Sequence, residues 1–184
     1  MIRWVRIISP ICSGAGLRQG SSVMQRETIV LCDSNILIDQ ALDCGPWSSR
    51  IAAFMERAVA NDVTIAATSL AIKDLSYAVH CVMKRRWLHS ESVVESATAK
   101  KVIPGVLRHT LHSAIELYKI VPIGESECQR AMALESRHSD FEDNLIIAAG
   151  ESIGAVRIAT YDEQLIKHFP DLCAKPEDIA LPGD

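Results

Sequence analysis

The feature that most constrains this chain is a short apolar run, Thr28-Ile-Val-Leu-Cys32, that stops at the polar triplet Asp33-Ser34-Asn35. A continuous β-branched run of this length marks a strand covered on both faces. The side-chain oxygens that follow suit the N-terminus of a helix. Helical spacing then covers Ile36 to Leu42 and Trp47 to Ala60, separated by the breaker Asp43-Cys-Gly-Pro46. Val63-Thr-Ile-Ala-Ala67 reads as a second strand, and Thr68 or Ser69 caps a helix running to about Met83. Val93 to Leu117 is mainly helical, with Pro104-Gly105 expected to divide it. Tyr118 to Val121 reads as a third strand and Ala155 to Thr160 as a fourth, with helices at Glu125 to Leu134 and Asp140 to Ser152 between them. A last short helix starts near Glu163. Strands alternating with helices predict a three-layer α/β/α sandwich with a central parallel sheet, Rossmann-like in its winding. In such sheets ligands gather at the carboxyl ends of the strands.

Composition agrees with one main domain. Of 184 residues, 48% are hydrophobic and 23% charged, the balance of an ordinary globular chain. The pattern occupies residues 24–184. Residues 1–23 carry Arg3, Arg6 and Arg18 without an acid and end in a Ser/Gly cluster, so a disordered extension or a mis-assigned start ahead of Met24 is expected there. Arg6, Ser9 and Pro10 interrupt what a secretory signal would need as its apolar core. No apolar stretch reaches the roughly 18–20 residues of a membrane span. Cys12, Cys32, Cys44, Cys81, Cys128 and Cys173 show no CxxC or metal spacing, which points to reduced thiols and a cytoplasmic location. The formal charge of −4 excludes a uniformly basic nucleic-acid wrapper.

Acids follow each of the main strands. Asp33 ends the first, Asp74 lies on the helix after the second, Asp140 and Asp143 open the helix before the fourth, and Asp162 follows the fourth. In a parallel sheet these carboxylates converge on one edge. Their repulsion would be offset by Mg²⁺ or Mn²⁺, which prefer carboxylate and water oxygens. Such a cluster suits phosphodiester hydrolysis. Each acid also has a plainer role: Asp33 and Asp162 can cap the helices after them, and Ser139-Asp-Phe-Glu142 fits a capping box. Asp74 is harder to assign to structure alone, because it sits at the border of the apolar face and needs a partner.

These segments resemble the PIN-domain family. Val30-Leu-Cys-Asp33-Ser-Asn35-Ile-Leu-Ile-Asp39 is similar to its opening hDTNhhhD motif, and Asp140-Phe-Glu-Asp143-Asn-Leu-Ile-Ile-Ala-Ala149 to its DFEDal helix start. Ile158-Ala-Thr160-Tyr-Asp162 resembles the hhTxD strand end. Thr68-Ser-Leu-Ala-Ile-Lys-Asp74-Leu-Ser-Tyr77 resembles the second acidic motif, where many relatives carry Glu. The tail Leu172-Cys-Ala-Lys-Pro176-Glu-Asp resembles the close of one subgroup. The resemblance implies a PIN-like fold and a metal-dependent ribonuclease of the VapC toxin type. It implies Asp33, Asp74, Asp143 and Asp162 as catalytic metal-binding carboxylates, with Asp140 accessory and with Asn35 and Thr160 orienting ligands or water. It further implies Mg²⁺ or Mn²⁺ as cofactor, a small antitoxin partner and a possible homodimer.

Between Lys73 and His109, seven Lys/Arg face three Asp/Glu, so this stretch is basic within an acidic chain. Lys84, Arg85, Arg86 and Trp87 combine charge with a ring that can stack on an unpaired base, and they form the candidate RNA-binding patch. A solvated helical surface is the alternative. Leu37, Ile38, Leu42 and Trp47 offer apolar surface for an antitoxin groove or for the core. A housekeeping RNA-processing nuclease and a non-catalytic binding module are the competing functions. A phosphotransfer receiver would need an acidic pair after the first strand, and a dinucleotide-binding fold a Gly-rich turn there; Asp33-Ser34-Asn35 supplies neither.

Overall fold

The computed structural model describes residues 27–43, 45–88 and 93–183, without the side chains of 86–88 and 93–99. The expectation for residues 1–23 lies outside the described residues. Strands β1 (Ile29–Cys32), β2 (Thr64–Thr68), β3 (Lys119–Val121), β4 (Arg157–Ala159) and β5 (Cys173–Ala174) form one sheet in the order β3-β2-β1-β4-β5. Every pairing is parallel. Helices α1 (Ser34–Leu42), α2 (Ser48–Ala60), α3 (Ser69–Leu88), α4 (Val93–Leu117), α5 (Glu125–Ala133), α6 (Phe141–Ser152) and α7 (Glu163–His168) supply the crossovers, and a 3-10 turn spans Pro176–Asp178.

Alternation along the strands divides the core in two. Val30, Cys32, Ile65 and Ala67 point to one face, where they pack with Ile36 and Leu37 of α1, Phe54 of α2, Leu75 and Val79 of α3 and Ala114 of α4. Ile29, Leu31, Ala66 and Ile158 belong to the other, with Leu134, Ile147 and Ala149 around α5 and α6 and with Leu165 and Phe169 around α7. These are the two outer layers of the expected sandwich. A Cβ on Gly150 would stand 2.8 Å from Ile158 Cδ1, so the absence of one lets α6 lie close against β4.

The order of the sheet reverses between β1 and β4: β2 and β3 extend to one side of β1, β4 and β5 to the other. Crevices at such reversals are where open α/β sheets hold ligands. Three features differ from expectation, the first being that α3 continues to Leu88, past the end expected near Met83. β5 adds a strand, because a two-residue segment carries no readable periodicity. The division expected at Pro104-Gly105 is absent, and α4 runs unbroken through Pro104. Pro104 and Gly105 are exposed, so the carbonyl deprived of its partner there can turn to water while Ile103, Val106 and Leu107 keep the helix on the core. No helix among the described residues is long and apolar enough to cross a membrane. Cys32, Cys81, Cys128 and Cys173 are free thiols.

Gly105 lies inside a continuous helix with open space where a Cβ would stand. Gly105→Ala is therefore expected to raise stability by about 0.5–1 kcal/mol, read from urea unfolding. A helix divided at that point would show no gain.

Candidate active site at the carboxyl edge of the sheet

Asp33 continues β1 by one residue and caps α1. Its N–H donates to Ala159 O at 3.0 Å, holding it against the end of β4. Its Oδ1 accepts from the Ser34 N–H at 2.6 Å, and its Oδ2 accepts from Asn35 Nδ2 at 2.6 Å and Thr160 Oγ1 at 2.7 Å. Asn35 Nδ2 also donates to Thr160 Oγ1 at 3.0 Å, and the Asp162 N–H donates to the same oxygen at 3.0 Å. Asp33, Asn35, Thr160 and the backbone of Asp162 thus form one network across the β1–β4 crevice. Asp33 is only 6% exposed, and desolvation pushes its pKa up. Hydrogen bonds from Thr160 and Ser34 oppose the rise, and the charge of Asp143 adds to it.

Asp143 stands in the first turn of α6 and is half-buried. Desolvation raises its pKa first, the bond to His138 opposes this, and the charges of Asp140 and Asp162 raise it further. Asp140, rather than the Ser139 of the expected capping box, is the N-cap of α6, its Oδ1 accepting from the N–H groups of Glu142 and Asp143 at 2.9 and 3.2 Å. Asp162 caps α7 in the same way, Oδ1 accepting from Gln164 and Leu165 at 2.7 and 3.0 Å. Capping and clustering are therefore both real: each cap engages one oxygen, and the chain brings Asp33, Asp140 and Asp162 each within electrostatic reach of Asp143.

Asp74 is engaged by a cation instead. Its Oδ1 lies 2.8 Å from Lys73 Nζ, so the partner that its position on α3 requires is the adjacent lysine. The charge of Glu142 also reaches Lys73, which sets this part of α3 opposite the start of α6. Lys84 and Arg85 are exposed on α3, whereas the side chains of Arg86 and Trp87 lie outside the described residues. Leu37 is buried in the core, and Ile38, Leu42 and Trp47 pack partly against it. Trp47 stacks on Tyr161 with centroids 4.4 Å apart.

Two residues at this edge carry no signal in the sequence. His138 Nε2 bonds Asp143 Oδ2 at 2.7 Å, although no spacing rule links it to the acidic helix start. Tyr77 is 72% exposed on α3, with Arg85 in electrostatic reach. A single aromatic at helical spacing reads as core, which concealed it.

Among the described residues, no three His, Cys, Asp or Glu side chains surround a common point close enough to hold a metal ion. The chemistry of the donors nevertheless fits a hard divalent cation. Asp33, Asp140 and Asp162 make no ion pair among the described residues, and burial first, with neighbouring carboxylate charge behind it, pushes up the pKa of Asp33 and of Asp143. Mg²⁺ commonly uses only one or two carboxylates and keeps its remaining ligands as water.

A carboxylate whose pKa is raised on folding favours the folded state most below its ordinary pKa and loses that contribution as pH rises through the raised value. In metal-free buffer Asp143→Asn is expected to melt above the parent at neutral pH, the gap closing as acid protonates Asp143. Each 1 kcal/mol of relief would appear as about 2–4 °C in Tm.

No family model and no curated protein matches the sequence. Solved structures do match the fold. FitAcB from Neisseria gonorrhoeae superposes with a TM-score of 0.56 at 16% identity, covering 82% of this chain and 99% of its own. VapBC2 from Rickettsia felis, bound to a DNA fragment from their promoter, gives 0.54 at 16% identity over 80% of this chain and 98% of its own. FitAB bound to an IR36 DNA fragment gives 0.53 at 12% identity over 82% and 97%. With its central parallel sheet flanked by helices, the chain has a PIN-like α/β fold.

Proposed function

We propose that this protein is a metal-dependent endoribonuclease that acts as the toxin of a toxin–antitoxin pair. The observation that carries this reading is Asp33: a carboxylate buried at the switch point of the sheet, facing the charges of Asp143 and, through it, Asp140 and Asp162. Asp33, Asp143 and Asp162 would hold Mg²⁺ or Mn²⁺, and Asp74 is the fourth carboxylate of the proposed set, balanced by Lys73 as the chain stands. A bound divalent cation would supply Lewis acidity for hydrolysis of an RNA phosphodiester by water. Asn35 and Thr160 fix the orientation of Asp33 through its Oδ2. Asp140 holds the first turn of α6, and with it Asp143, in place. Among the described residues no side chain at the edge is set up as a nucleophile, and the reading includes no covalent enzyme intermediate.

Similarity of fold to FitAcB and VapBC2 supports the toxin role and a small antitoxin partner. For the substrate, the exposed residues Lys73, Tyr77, Lys84 and Arg85 on α3 lead away from the acidic edge and set cations on both sides of one ring, a combination suited to single-stranded RNA. One observation favours a second reading, a binding module without catalysis: the Lys73–Asp74 pair occupies one of the proposed ligands.

Incubation of partner-free protein with cellular RNA separates the two. Cleavage is expected with Mn²⁺ or Mg²⁺ and not with chelator, and it should fall by about 100-fold or more in Asp143→Asn, the scale typical of losing a major electrostatic contribution to a transition state. Binding without cleavage in every lane would establish the module instead. For the α3 stripe, Lys84→Ala with Arg85→Ala should weaken RNA binding and reduce the salt slope by about 0.7 for each phosphate that is no longer neutralised. Tyr77→Ala should weaken binding while leaving the slope unchanged.

A further inference from the structure

His138 lies just before α6, and its backbone is tied on both sides. Its N–H donates to Leu134 O at 3.0 Å, and its carbonyl accepts from Asn144 Nδ2 at 2.7 Å. The ring is tilted against His168 with centroids 4.8 Å apart and meets Phe169 edge-on at 6.2 Å. Arg137 covers Phe169 from 4.3 Å and donates from Nε to His168 O at 2.8 Å, which secures the wall behind the imidazole. Only 10% of the His138 side chain is exposed. A ring packed on these sides has few rotamers left, so the direction of its Nε2 is fixed by the fold.

That nitrogen meets Asp143 Oδ2 at 2.7 Å. An ionised carboxylate can only accept, so Nε2 is the protonated ring nitrogen in this contact. Asp143 Oδ1 has no hydrogen-bond partner among the described residues. Holding a turn in place would require only the backbone bonds and the packing on Phe169. The additional bond selects one oxygen of a carboxylate that already faces the charges of Asp140 and Asp162.

We propose that His138 is a positioning residue: its bond to Asp143 Oδ2 sets the orientation in which Asp143 offers its other oxygen to a divalent cation. The inference rests on the metal-binding reading of Asp143 given above, and it assigns His138 no part in the chemical step. Groups that hold a metal's carboxylate or imidazole ligands typically contribute 10–100-fold to affinity.

The test is calorimetric titration of Mn²⁺ into the full chain without RNA, with a thermal melt for each variant. His138→Phe keeps a ring against His168 and Phe169 but removes the donor, and a loss of about 10–100-fold in Mn²⁺ affinity is expected. His138→Gln retains an amide N–H of similar reach and should recover most of that loss. In an Asp143→Asn background, His138→Phe should add nothing further, because the effect passes through Asp143. If His138→Phe does not fold, His138→Leu is read in the same way. Parent-like affinity in the donor-free variant overturns the proposal. So does equal loss in the Gln and Phe variants, or an undiminished further loss in the Asp143→Asn background. A parent chain that takes up no Mn²⁺ overturns the metal reading together with this one, whereas a parent that binds beside an unaffected His138→Phe overturns this one alone.

Discussion

Burial of the Asp33 carboxylate is the constraint on which the rest of this structure depends. A charge at the end of a central strand is costly unless donors surround it. Its donors come from two distant places: Ser34 and Asn35 follow it directly, but Thr160 lies more than a hundred residues away, beyond β4. Asp33 is therefore satisfied only when β4 lies beside β1. That placement is also the one that reverses the sheet order and opens the crevice. Fold and candidate site rest on the same set of hydrogen bonds, with the bond from the Asp33 N–H to Ala159 O closing it.

A second requirement is closeness. The layer carrying α6 must approach the sheet near enough for Asp143 to affect Asp33, and Gly150 against Ile158 permits that approach. The result is an edge whose carboxylates push against each other while the layers below are apolar and tightly buried. The acids are tolerated there for two reasons. The capping bonds of Asp33, Asp140 and Asp162 engage one oxygen of each with helix N–H groups, and the positive ends of those helices favour negative charge. The plain structural role and the proposed chemical one are therefore compatible in the same side chains.

Local signals made much of this legible. The apolar runs read at Thr28 to Cys32 and Val63 to Ala67 became β1 and β2, each shifted by about one residue, because short continuous apolar runs suit strands covered on both faces. Asp33 and Asp162 were readable as caps because each precedes a helical pattern, whereas the expected capping box set the cap of α6 at Ser139, one residue before Asp140, which takes that place. The resemblance of four ordered segments to PIN domains anticipated the fold that the structural comparisons show. What escaped had no local signal. β5 is two residues long, His138 acts through space across a turn, and the partner of Asp74 could not be chosen among several nearby lysines and arginines. Pro104 misled because its breaking tendency is local, while α4 is held by packing on both sides of it.

By itself, then, the sequence determined which segments are strands and helices, which acids follow which strands, and that Asp33, Asp140, Asp143 and Asp162 would gather near the carboxyl edge. These follow from periodicity, capping and the parallel alternation, all of which act over a few residues. Only the tertiary structure decided which carboxylates come within reach of each other, that Lys73 holds Asp74, and that His138 holds Asp143. Those outcomes depend on how closely packed layers approach and which rotamers survive between them. Such distances are set by the packing of the whole core, and no short stretch of sequence encodes them.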